Sequence, residues 1–262
     1  MNSGVGSTLG RPVGVEADRG QALRFRVKDW MAYGMGLQGK QAWQAWACDM
    51  PPTAAEPISE PELPVLLRRR VTQAGKLAFR AACGIGMESD LRFIFCSRHG
   101  EFERTLRLLE AIAAREPVSP ADFSLSVHNA LAGLLSIAWQ NQEGHTTIAA
   151  GHDSFGYGML EAAASLATSP AQPILLIYST APLPGVYAEL GEPAGPELGL
   201  ALVLTAAHGN ESDLSVVCEP LSKPSLPPPS DQALEFLRFF LTHEHEASAL
   251  GGRMRWWWRH AK

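Results

Sequence analysis

The chain has 262 residues, 46% hydrophobic and 19% charged, which is enough apolar material for one large core and excludes disorder throughout. Its 22 Lys and Arg against 27 Asp and Glu leave a formal charge of -5, the wrong sign for a general nucleic-acid binder. The best uncharged apolar run, Leu198 to Ala207, is about half a membrane span, so no transmembrane segment is expected.

In chain order, residues 1–22 hold many glycines and no hydrophobic period, and read as a flexible tail ahead of a single domain over 23–262. LRFRVKDW alternates Leu23, Phe25 and Val27 with charged residues, as a half-buried strand does. Gly34, Gly36 and Gly39 spell GxGxxG after it. The chain then runs into prolines 51 to 64 without a second strand, so the glycines predict a turn and not a dinucleotide site. A short helix is expected over 38–49 and a proline-rich connection over 50–64. A helix from Leu66 to Ala82 follows, carrying Arg68, Arg69 and Arg70 as a basic face and stopped by Gly84 and Gly86.

LRFIFC (91–96) reads as a buried strand, 101–114 and 128–140 as helices, and HTTIAAG (145–151) as a strand. A helix over 154–167, the strand PILLIYST (173–180) and the strand LGLALVLTAA (198–207) come next. VVCEP (216–220) offers a further short strand, and KPSLPPPSD (223–231) leads to a helix over 231–248. Strands alternating with helices at this spacing argue for an α/β sandwich with a mainly parallel sheet covered on both faces. Two residues apart on that last helix, His243 and His245 would point to different faces and so not share a metal ion. Trp256, Trp257 and Trp258 either fold back as a satellite core or touch a partner or membrane. Neither metal nor cofactor is called for. The N-terminus lacks a signal-peptide pattern, and Cys48, Cys83, Cys96 and Cys218 lack CxxC spacing, which predicts reduced thiols in the cytoplasm.

The informative junction is Ala149-Ala150-Gly151, where a strand passes through small residues into a helix. Such an elbow presents the next side chain at the positive end of the helix, where a nucleophile or an oxyanion is stabilised. His152-Asp153-Ser154-Phe155-Gly156 lacks only the first glycine of GxSxG. A serine hydrolase would use Ser154 with Asp213 and His243 in that chain order. Against it, His152 is bulky where the strained turn wants glycine, and His243 falls on a helix rather than in a loop after a strand.

SVHNALAGLLSIA, with Ser126, His128, Asn129 and Gly133, followed by TTIAAG and a glycine-containing helix, resembles the N-terminal half of β-ketoacyl synthases. The likeness extends upstream through LPVLLRRRVTQAGKLAFRAA and IFCSRHGEFERTLRLLEAIA and downstream through PILLIYSTAPLP, roughly 23–258 in all. It is similar to the short β-ketoacyl-synthase-like family of aryl polyene clusters, whose member acts as a chain-length-factor-like partner of a true ketosynthase. The resemblance implies a half-length thiolase-like fold. It puts the ketosynthase cysteine at His152, 23 residues after Asn129, flanked by Asp153 and Ser154. No thiol lies between Ala149 and Gly156, so the acyl thioester of condensation has no acceptor there, and no catalytic residue carries over. The implied partner is a full-length β-ketoacyl synthase, with acyl carrier protein reached through the complex, and no nucleic acid. Its strand would pair along Thr146, Thr147 and Ile148, which are β-branched. A stand-alone acyl- or lipid-binding protein is the other non-enzymatic reading. A chain too short to duplicate the sheet is also expected to leave the Leu198–Ala207 run uncovered until the partner binds.

Overall fold

In a computed structural model the described residues are 22–51, 70–86, 90–183, 187, 195–224 and 230–261. The expectations for residues 1–21, for most of the proline-rich stretch 50–64, for Arg68 and Arg69, and for 225–229 of the linker lie outside them.

The first strand, β1 (Leu23–Gly34), alternates as its sequence demands until a bulge between Val27 and Asp29 shifts the register. Phe25, Trp30 and Ala32 then face one layer and Tyr33 the other. The GxGxxG glycines make a tight turn to β2 (Leu37–Gln38), which pairs back on β1 and opens into α1 (Gly39–Ala47). Gly34 has φ +141°, and a Cβ there would lie 1.9 Å from the Glu197 carbonyl oxygen. Helix α2 (Gln73–Ile85) starts later than its pattern predicts and ends at Gly86, φ +102°. Then come β3 (Arg92–Ser97), α3 (Phe102–Ala114), the short α4 (Pro120–Ser124), α5 (Ala130–Trp139) and β4 (His145–Ile148). A 3₁₀ turn (Gly151–Asp153) leads into α6 (Ser154–Thr168), followed by β5 (Ile174–Thr180), β6 (Leu198–Ala206), β7 (Leu214–Pro220), α7 (Gln232–Thr242), β8 (Glu246–Leu250) and β9 (Met254–His260).

The sheet runs β4-β3-β5-β6-β1-β7-β9-β8, with β2 beside β1. The expectation of a mainly parallel sheet holds for β4, β3 and β5, the strands joined through α5 and α6. From β5 to β8 every pair is antiparallel. Strands β3, β5 and β6 send alternate residues into two cores. Ile94, Leu176 and Leu202 pack with α6 and α7, while Phe93, Ile177 and Val203 pack with α2 and α5. That double burial explains their unbroken apolar sequences. The Leu198–Leu204 run is a central strand, fully buried between β5 and β1, and not the uncovered surface its length suggested.

The C-terminus corrects the sequence reading. Helix α7 (Gln232–Thr242) stops where His243 takes φ +55°. The residues expected to prolong it form β8 (Glu246–Leu250), hairpinned to β9 (Met254–His260). On a strand, successive side chains alternate faces. Trp256 and Trp258 are fully buried in the main core and Trp257 points the other way, its Nε1 donating to Glu219 at 3.4 Å.

Candidate functional site

Strand β4 ends at the elbow. The Ser154 hydroxyl accepts a bond from Ala150 N (3.0 Å) and donates to the Gly151 carbonyl (2.7 Å), so both capacities go into holding the turn. Gly151 sits at φ +60°, which a β-carbon would strain. Asp153 is buried. Its Oδ1 accepts from the Trp256 indole (2.9 Å) and, weakly, from Gln232 Nε2 (3.4 Å), and its Oδ2 accepts from Arg253 N (2.9 Å). Gln232 in turn accepts from Gly156 N at 3.0 Å. The carboxylate thereby ties the first turn of α6 to the β8–β9 hairpin and to α7. Gly156 and Gly251 permit this closeness: a Cβ on Gly156 would lie 2.2 Å from the Trp256 ring, and one on Gly251 1.7 Å from Asp153 Oδ1.

His152, the residue that the resemblance implies for the nucleophile position, is half-buried with Nδ1 3.2 Å from an Arg98 guanidinium nitrogen. A guanidinium only donates, so Nδ1 is the acceptor and the neutral ring carries its proton on Nε2. Arg98 follows β3 directly. Because β3 and β4 are parallel, their carboxyl ends lie side by side, and that places Arg98 against the elbow. Sequence reasoning passed over Arg98, although a basic residue just after the neighbouring parallel strand was the signal that pointed to it.

None of the four thiols stands at the elbow. Cys96 is fully buried on β3 against Gly158 of α6, and desolvation, with the nearby Asp231 charge adding to it, pushes its pKa far up. Burial also raises Cys83 and Cys218. The hydrolase constellation is likewise not assembled. Asp213 receives N–H bonds from His208, Gly209 and Asn210 and pairs with Arg26 at 3.0 Å. Burial pushes its carboxyl up, but these donors outweigh that and hold the pKa below its usual value. His243 caps α7, its ring 6.1 Å from that of His260. His243 and His245 therefore do not share a helix as expected, and no metal-holding group of three or more His, Cys, Asp or Glu side chains occurs among the described residues.

The motif residues shape the segment leading to β4. Ser126 donates to the Phe123 carbonyl (2.8 Å), Asn129 starts α5 and accepts from Gly133 N (3.0 Å), and Gly133 has open space where a Cβ would be. The His128 ring packs over Gly100 at the end of β3, its Nε2 buried without a partner among the described residues.

Strand β4 is the last in the sheet. Thr146, Thr147 and Ile148 stand opposite Ile94, Phe95 and Cys96, and no described strand takes their other side. Phe93 N donates to the Gly144 carbonyl. Alternation along a parallel pair then turns the backbone groups of Thr146 and Ile148 toward β3, and those of Thr147 outward. Of the eight large apolar side chains exposed among the described residues, six lie between 102 and 139. The exposed apolar surface is therefore concentrated in the segment whose α5 packs on β4, with Phe123 69% and Ile137 67% accessible.

The sequence profile described as "Beta-ketoacyl synthase, N-terminal domain" matches residues 43–259. The chain belongs to that family. One chain of a complex of the ketosynthase ApeO with its chain length factor ApeC, from Xenorhabdus doucetiae, is similar at 27% identity and TM-score 0.76, over 91% of this synthase-family chain and 100% of its own length. The ishigamide ketosynthase/chain length factor is 11% identical with TM-score 0.65, over 92% and 100% of the two chains. A β-ketoacyl synthase from Burkholderia phymatum is 14% identical with TM-score 0.53, over 85% and 71%. The last two likenesses show that the synthase-family chain has the thiolase-like fold of such proteins. No curated protein matches it. Among the described residues no helix of this β-ketoacyl synthase domain is long and apolar enough to cross a membrane.

Proposed function

We propose that the chain is a non-catalytic, chain-length-factor-like subunit that pairs with a full-length β-ketoacyl synthase in polyketide or fatty-acid-like biosynthesis of the aryl polyene type, in the cytoplasm. The observation that carries the reading is an elbow kept in form without a nucleophile. The turn, the helix and their hydrogen bonds are present, no thiol stands between Ala149 and Gly156, and His152, which the resemblance aligns with the thiol, has its Nδ1 engaged by Arg98. Condensation needs a thiolate to hold the acyl group, so the partner has to bring one. Acyl carrier protein would be engaged by the complex.

The similarity to a chain of a ketosynthase–chain length factor complex, matched over its full length, supports the subunit reading. The open edge of β4 supports the mode of pairing, because unpaired ladder groups at Thr147 are what a partner strand would satisfy. Apolar side chains beside that edge, Phe123, Val127 and Ile137 among them, would be covered in the same event. The test is co-expression with a full-length β-ketoacyl synthase of the same organism, followed by co-purification and a condensation assay. A stable complex that condenses only when both subunits are present supports the reading. A ketosynthase that neither binds this chain nor depends on it overturns it.

A further inference from the structure

At the end of the sheet remote from β4, the first residues of β1 and β7 and the last of β9 surround a recess of about 510 Å³, lined by Arg24, Ser215, His245, Glu246, Arg259 and their neighbours. The pairing register puts four of these in one row across the sheet. Arg24 stands opposite Ser215, Ser215 opposite Arg259, and Arg259 opposite Glu246. Residues directly opposite share a face, and strands lie about 4.8 Å apart, so the two arginines flank Ser215 at about 10 Å from Cα to Cα. Across that span two guanidinium groups can converge on a single anion above the serine hydroxyl.

The partners of these arginines sharpen the point. Arg24 makes no hydrogen bond or ion pair among the described residues. Arg259 is oriented by its Nε bond to Glu246, which leaves its two terminal nitrogens without a partner among the described residues. Glu246 is the one carboxylate among the described lining residues, against the two arginines, in a chain whose net charge is -5. Asp213, next to Leu214 of the lining, already pairs with Arg26 and the 208–210 backbone. Positive charge is thus gathered in one concave place against the trend of the whole molecule.

We propose that this recess binds a phosphate monoester, its phosphate clamped between Arg24 and Arg259 over Ser215. Phosphate suits the donors: two guanidinium forks and a hydroxyl match its three terminal oxygens. The recess is larger than a bare phosphate and leaves room for the esterified group. The site lies apart from the elbow and is independent of the proposed pairing.

The test is calorimetric titration of the whole chain at low salt with inorganic phosphate, glycerol 3-phosphate and AMP. The two esters separate a preference for a small group from one for an aromatic one. Saturable binding of an ester is expected, weakened about tenfold or more by Arg24→Glu and less by Ser215→Ala, with no change for Arg107→Glu on the distant α3. Arg24 is exposed and unpaired among the described residues, so the melting temperature should hold; Arg24→Gln is the second variant should the reversed charge disturb folding. The proposal is overturned by an absence of saturable binding at millimolar ester. It is equally overturned by binding that survives both Arg24 variants, or that Arg107→Glu weakens as much.

Discussion

Thr147→Pro separates pairing from folding. Alternation from the Phe93–Gly144 bond turns the Thr147 N–H to the open side of β4, so proline there removes no bond to β3. Edge strands accept proline on that side, and the cost to the isolated subunit should stay near or below about 1 kcal/mol. At an interface the same change removes one donor, and the ring holds the partner strand away from the neighbouring ladder positions. Losing two or three inter-subunit hydrogen bonds at about 1 kcal/mol each weakens pairing by about 2–3 kcal/mol, or roughly 30- to 150-fold in Kd. Thr146→Pro is the matched control. Its N–H faces β3 and its hydroxyl accepts from Arg92 at 3.1 Å, so that variant should lose fold stability first. Thermal melts of the isolated variants, and equilibrium binding to the ketosynthase by sedimentation, read the two effects separately. Unchanged affinity for Thr147→Pro, or equal destabilisation by both prolines, would refute the reasoning.

If the chain is the non-catalytic subunit proposed, His152→Ala should leave condensation by the assembled complex within about threefold; a loss of several orders of magnitude would show chemistry at the elbow. Ser154→Ala should instead lower the melting temperature, because it removes both bonds that hold the turn, at about 1–3 kcal/mol by chemical denaturation. Arg104→Ala should cost about 3–5 kcal/mol. It strands Glu101, whose carboxyl is pushed up by burial and only partly restrained by Thr72 and Arg104, and adding Glu101→Gln should recover part of the loss. Burial, then His243 and His245, lower the His260 pKa, so the unfolded chain binds the proton more readily. Stability from this group is complete above an unfolded pKa near 6.5 and declines as pH falls through it toward the lower folded value. His260→Phe should flatten urea midpoints between about pH 5 and 6.5.

The apolar strands at 91–96, 173–180 and 198–207 were legible because burial on both faces leaves an unbroken run of side chains that no solvent-facing strand would carry. The elbow was legible too. Small residues at Ala149, Ala150 and Gly151 allow only a tight turn, and the missing thiol is a fact of composition. The C-terminal hairpin was hidden. EHEASAL has good helix formers, and β8 becomes a strand only because β9 lies against it while Trp256 reaches Asp153, over a hundred residues earlier in the chain. The role of Asp153 was hidden for the same reason, since its donors come from Gln232, Arg253 and Trp256. The Arg98–His152 contact depends on β3 and β4 being parallel neighbours, and the Arg24–Ser215–Arg259 row on strand order. The sequence by itself determined which segments are apolar on both faces, where the chain turns, and that no thiol stands at the elbow, because these follow from local residue types and periodicity. Only the tertiary structure decided which strand is left with an open edge and which distant side chains converge, because strand order and register are set by packing between segments far apart in the chain.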